Sequence, residues 1–133
     1  MLSAARTRMR LTAVIALTLA SAAGAQPNMV HKTTLQDGPF PSPHYHTVTV
    51  RTVVDRGGMV APHTHPGVEM AYVLDGRAVL TVSGQPPRSV SAGDSFSVPP
   101  RIVHSVENTG PGALTMLSTY VIEIGQPIAS PAR

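Results

Sequence analysis

Proline and glycine leave this chain no room for a long helix. Thirteen prolines and eleven glycines are spread through 133 residues, and every proline lies beyond residue 25. A proline inside a helix removes a hydrogen bond and clashes with the preceding turn, so such a chain is confined to short extended runs. Those runs are present. Residues 44–54 (HYHTVTVRTVV) alternate β-branched and other side chains in the manner of a strand, and 68–74, 77–83, 88–91, 94–98, 102–108 and 113–124 follow. Turn signals separate them: Asp55 to Gly58, Asp75-Gly76, Ser83 to Pro87, Ala92-Gly93, Pro99-Pro100 and Asn108 to Gly112. No segment sustains a 3.6-residue apolar period. Short strands at regular spacing predict an all-β fold, a single small antiparallel β-barrel or sandwich.

The ends of the chain differ in kind from its middle. Residues 1–25, MLSAARTRMRLTAVIALTLASAAGA, combine basic Arg6, Arg8 and Arg10 with an apolar run and a small-residue end at Ala23-Gly24-Ala25. This is the layout of a secretory signal peptide, and it predicts an exported protein, periplasmic in a Gram-negative cell and otherwise secreted. The apolar run is well short of the roughly 18 residues of a spanning helix, so no membrane association is expected after cleavage. Residues 26–43 are polar and proline-rich and read as an arm lying on the domain or on a partner subunit. Residues 44–124 form the barrel domain, and 125–133, GQPIASPAR, read as a flexible tail.

Charge and cysteine content narrow the function. The chain has ten Lys+Arg against seven Asp+Glu. Three of the ten are the arginines of the leader, which leaves seven of each sign and no basic footprint for a nucleic acid. Cysteine is absent, so the fold must stand without disulfides and any metal site must use nitrogen and oxygen ligands.

One segment points to such a site. In PHTHPGVEM, residues 62–70, His63 and His65 are two apart on an extended stretch, which puts both imidazoles on one face. Pro66-Gly67 then reverses the chain and Glu69 opens the next strand in a hairpin-like unit. Two nitrogens and a carboxylate suit ions of the iron, manganese and nickel type, with His104 as a candidate fourth ligand. On spacing alone the segment fits either a metal site or a solvated pair in a turn.

The surrounding residues resemble the two motifs of the cupin superfamily. Gly57, His63, His65, Glu69 and Gly76 match G-x5-H-x-H-x3-E-x6-G. Gly93, Pro99, His104 and Asn108 match G-x5-P-x-G-x2-H-x3-N, with Arg101 where the second motif has glycine. That exchange predicts a turn of different shape before His104. The resemblance implies a jelly-roll (double-stranded β-helix) barrel in which His63, His65, Glu69 and His104 bind one divalent metal ion: Fe, Mn, Ni, Cu or Zn. It further implies a homodimer and a small-molecule partner. The expected activity is oxidation or carbon–carbon cleavage of a small chelating substrate. A lyase or isomerase, or a non-catalytic metal or ligand binder, are the alternatives.

Other residues receive plainer expectations. His44 and His46 repeat the His-x-His spacing but read as partly exposed strand-edge residues, and His31 carries no spacing argument. Tyr72 should face away from Glu69, with Ala71 and Val73 lining the interior beside it. Met59, Met70 and Met116 read as core filler, Arg51 and Arg101 as solvated. Glu107 alternates away from His104, and nothing outside the ligand set stands out as a general base apart from metal-bound water or a tyrosine behind the ligands.

Overall fold

The computed structural model of the chain describes residues 29–132; the expected signal peptide lies outside them. Among the described residues there are ten strands and no helix: β1 Val30–Gly38, β2 Tyr45–Val54, β3 Met59–Thr64, β4 Val68–Asp75, β5 Arg77–Val82, β6 Arg88–Ser91, β7 Ser95–Val98, β8 His104–Asn108, β9 Leu114–Glu123 and β10 Ser130–Pro131. They form two five-stranded antiparallel sheets, ordered β1-β2-β9-β4-β7 and β10-β3-β8-β5-β6. The all-β jelly-roll expectation agrees with this arrangement. The period-two pattern read from the sequence decides which side chains fill the space between the sheets. In β9, Leu114, Met116, Ser118, Tyr120 and Ile122 are all buried while the residues between them are not. Val48, Val50, Val54, Ala71, Val73, Leu80, Val98 and Val106 complete most of the core.

Both chain ends carry strands where the sequence announced none. Half of the segment read as a proline-rich arm is strand β1, paired with β2 from Val30↔Val54 to Gly38↔Thr47. Its polar composition hid it, because an edge strand has one side in solvent and needs little apolar alternation. The segment read as a flexible tail contributes β10, where Ser130 and Pro131 pair with Thr64 and His63. A proline is compatible with an edge position because its missing donor faces outward.

Three smaller expectations are corrected. Met116 is in the core, but Met59 and Met70 are 47% and 50% exposed, since both fall on the outward side of the strand alternation. β3 and β4 do not form a hairpin; the chain crosses from one sheet to the other at Pro66-Gly67. Gly67 makes the crossing possible, because a Cβ there would lie 1.8 Å from the Val121 carbonyl oxygen. The turn before His104 also keeps the shape a glycine would give it. Arg101 adopts φ 63°, a left-handed conformation costing a non-glycine residue about 1–3 kcal/mol, and its N–H donates to the His65 carbonyl at 2.8 Å.

Candidate metal centre

The site is assembled from both sheets. His63 lies on β3 directly opposite His104 on β8, and His65 follows just beyond the end of β3. Glu69 comes from β4 in the facing sheet, opposite Tyr120 on β9. Each of the four residues His63, His65, Glu69 and His104 offers one ligand atom, and these atoms all lie within 4.8 Å of one another. His65, Glu69 and His104 are 2%, 5% and 2% exposed, and His63 is half-buried at the mouth. The four expected ligand residues therefore meet at one point, and the cluster suits a metal ion.

Hydrogen bonds to the far side of each ring decide what faces the centre. The Nδ1–H of His63 donates to the Ala61 carbonyl at 2.8 Å, that of His65 to Ile128 at 2.6 Å and that of His104 to Ile102 at 3.0 Å. A carbonyl can only accept, so each neutral ring keeps its Nε2 lone pair pointing inward. Those Nε2 atoms then meet only acceptors. His63 Nε2 is 3.0 Å from His65 Nε2, and Glu69 Oε2 is 3.1 Å from His65 Nε2 and 2.9 Å from His104 Nε2. Four converging acceptors need positive charge between them, supplied by protons or by a cation. Carbonyl-anchored Nδ1–H groups are also how metal-binding histidines are commonly oriented.

The ionisation of the cluster follows the same logic. Burial pushes the His63 imidazole down to about 4, and the neighbouring His104, His65 and Lys32 charges add to this against the bond that His63 donates to the Ala61 carbonyl. Burial opposes charge on His104 too, but its contacts with Glu69 and Ile102 outweigh that and raise it above the ordinary histidine value. Burial alone would raise the Glu69 carboxyl; hydrogen bonds from His104 and His65 overcome it and hold the group ionised well below the usual carboxylate range. Without a metal, the centre thus pairs an ionised Glu69 with a His104 whose protonated form that carboxylate favours.

Tyr120 is the tyrosine behind the cluster that the sequence did not single out by number. It is 3% exposed, and its hydroxyl donates to Glu69 Oε1 at 3.1 Å, leaving Oε2 for the centre. Burial, and then the charge of Glu69, push its phenol above the ordinary tyrosine value, so it acts as a fixed donor and not as a base. Ser118 also hydrogen-bonds Glu69. Their signal was legible as inward parity in 113–124, but no parity rule says which strand lies opposite Glu69. Asn108, matched as the last residue of the second motif, is a structural hub. Its buried amide nitrogen lies 2.9–3.1 Å from the carbonyls of Val54, Asp55 and Gly112, and its oxygen accepts from Gly110 N–H.

Apart from Met59 and Met70, residues outside the centre fall where the sequence put them, with additions. Tyr72 faces out at 46% exposure while Ala71 and Val73 are buried, and Glu107 is exposed. His31 lies 3.2 Å from Asp55, and His46 Nδ1 lies 2.8 Å from Asp37. A cavity of about 10 Å³, room for about one water, adjoins the ligand atoms beside Thr52, Val60, Val106 and Met116.

Comparison with known proteins agrees with this geometry. The family model Cupin_2, a cupin domain, matches residues 50–120. Germin-like protein 5-1 of Oryza sativa subsp. japonica is 33% identical over 69 residues, covering 48% of this chain and 31% of that protein. Among solved structures, an oxalate decarboxylase is 29% identical with a TM-score of 0.56, over 64% of this chain and 23% of its own. A double-stranded β-helix protein of Klebsiella pneumoniae subsp. pneumoniae MGH 78578 superposes with a TM-score of 0.65 at 19% identity, over 83% of this chain and 90% of its own. The chain thus spans less than a third of the germin-like protein and less than a quarter of the oxalate decarboxylase chain, while its fold alone is shared with the Klebsiella protein.

Proposed function

The chain belongs to the cupin family, and from this premise we propose that it is an exported metal-dependent enzyme acting on a small chelating organic molecule. The observation that carries the reading is the set of four inward acceptors, each held from behind by the protein. Three neutral imidazoles and one carboxylate would hold a divalent ion with a net single positive charge. When bound, such an ion supplies Lewis-acid or redox chemistry to an oxygen ligand of the substrate. The chain's own residues orient and exclude. The carbonyls of Ala61, Ile128 and Ile102 fix the rings, Tyr120 and Ser118 turn Glu69, and Val60, Val106 and Met116 keep bulk water from the inner side.

Resemblance to an oxalate decarboxylase over part of the chain makes small carboxylates the first substrate class to try, ahead of enols, diketones and phenols. The reaction is proposed as dioxygenase-like or carbon–carbon cleaving. A second reading, a cupin that holds metal and ligand without turnover, draws on one observation. Among the described residues outside the ligand set, only Lys32 and Tyr120 bring an ionisable group to the inner cavity, and neither is placed as a base. A homodimer is proposed through the outer face of β4, where Met70, Tyr72 and Leu74 are 50%, 46% and 47% exposed in an i, i+2, i+4 row.

Elemental analysis of the purified protein tests the first reading, with turnover of a carboxylate panel measured on metal-loaded samples. About one equivalent of metal with turnover supports the enzyme. Metal without turnover on any substrate of the panel favours the binder, and a folded protein that takes up no divalent ion sinks both.

A further inference from the structure

Lys32 is the only lysine in the chain, and it stands on the strand that the sequence did not announce. In the β1–β2 register it is opposite Thr52, and directly paired residues of an antiparallel ladder project to the same face. Thr52 is buried on the inner face at 2% exposure, so the lysine stem is directed to the mouth between the sheets. Lys32 lines the small inner cavity together with His63, Glu69 and His104. The ion pairs among the described residues are His31–Asp55, His46–Asp37 and the contacts of Glu69 with His65 and His104; none engages Lys32.

A groove of about 350 Å³ adjoins this cation, at the lower end of the range for small-molecule sites. It runs between β1, β3 and β10, with apolar walls that include Val60, Pro62 and Ala129. Lys32, Val60 and His63 line both the groove and the small inner cavity. The groove therefore leads from solvent to the histidine cluster past one positive charge that has no ion pair among the described residues. A ligand complementary to it has one negative charge and an apolar body. A dicarboxylate would carry a second charge against apolar walls, which is unfavourable without a partner.

We infer that the groove binds a small monocarboxylate carrying an apolar chain, its carboxylate at Lys32 beside His63 and its chain along β3 and β10. This names the substrate class of the proposed metalloenzyme and rests on that reading for any chemistry, whereas the binding itself draws on Lys32 and the groove walls.

The test is titration of acetate, butanoate, hexanoate, oxalate and hexan-1-ol into the purified protein after reductive carbon-13 methylation. This modification keeps the lysine charge and places an NMR reporter on Lys32. Hexanoate is expected to move that resonance and to bind about fourfold more tightly per methylene added beyond acetate. Hexan-1-ol should bind about tenfold more weakly than hexanoate, and in unmethylated protein Lys32→Gln should erase that difference, read by calorimetry. Ala129→Phe, which narrows the groove without touching the cation, should remove the chain-length gain. The inference is overturned if oxalate binds more tightly than hexanoate, or if Lys32→Gln keeps wild-type hexanoate affinity. It is likewise overturned if that variant only aggregates more readily, as loss of an edge-strand guard would predict. Metal content measured on the same samples separates the two readings. Lys32-dependent hexanoate binding in a protein that takes up no metal retains the groove and removes the metalloenzyme. Full metal occupancy without such binding does the reverse.

Discussion

The chain carries His-x-His twice, with the same spacing and opposite fates. His63 and His65 bring their Nε2 atoms within 3.0 Å of each other, and each ring is held from behind by a carbonyl. His44 is exposed just ahead of β2, and His46 is half-buried on that strand with Nδ1 2.8 Å from Asp37. Among the described residues, the buried Nε2 of His46 has no hydrogen-bond partner. The difference lies in what faces each pair. At the first, β8 contributes His104 and the opposite sheet contributes Glu69. At the second, the neighbour on β9 is Ile122, and Asp37 is a lone carboxylate with a half-exposed side chain. Two imidazoles spaced two apart gather into a cluster suited to a metal ion only where other strands deliver further donors to the same point.

Several substitutions would break or sharpen that contrast. The largest effect is expected from His104→Ala, which removes a ligand supplied by another strand. Metal content by elemental analysis should fall from about one equivalent to near zero, whereas the double substitution of His44 and His46 by Ala leaves it at the wild-type level. Next in size is a chain ending at Gln126, which loses the Ile128 carbonyl behind His65. Metal affinity measured by competition with a chelator should drop about 10–100-fold, the usual effect of losing an orienting partner.

Acid should weaken the first site in a defined order. Protons compete with metal for Nε2, so a group with a raised pKa begins to compete at higher pH. Affinity should therefore start to fall as pH drops through the raised His104 value, by up to about tenfold per pH unit for one proton. His63, held down to about 4 by burial, stays neutral until well into the acid range. A potentiometric titration of metal binding reads this directly; a pH-independent affinity between neutrality and pH 5 would contradict the assignment.

Smaller still is Tyr120→Phe, which leaves Glu69 Oε1 without its phenol donor. A neutral donor to a carboxylate contributes about 1.5–3 kcal/mol. The remaining Ser118 contact should reduce the loss in metal affinity to about tenfold or less, with the protein still folded by circular dichroism. The smallest effect belongs to the second pair. His46→Ala removes a contact to a half-exposed Asp37 side chain, and the midpoint of urea unfolding should correspond to a change within about 1 kcal/mol.

Much of this was legible in sequence because it depends on local rules. The run 88–91 coincides with β6, and the runs behind β2, β4, β5, β7, β8 and β9 overlap their strands to within two residues at either end. Period two is enforced by the pleat wherever one face is buried. The ligand residues were legible for a different reason: nine matched positions in two ordered motifs make accidental agreement improbable. What stayed hidden lies at the edges and across the gap between sheets. β1 and β10 are edge strands whose polar composition matches that of loops. The replacement at Arg101 kept its backbone shape because the bond to the His65 carbonyl holds it there.

By itself the sequence determined the all-β class, the inward parity of the internal strands other than β3 and the identity of the four ligand candidates, since all three follow from spacing along one chain. The tertiary structure alone decided that β3 and β4 part into different sheets, that Tyr120 meets Glu69 and that the C-terminal segment orients His65. It also decided that Lys32 stands at the mouth. Each of these is a contact between residues far apart in sequence, set by which strands pair and in what register. Local pattern specifies a strand's face but not its neighbour.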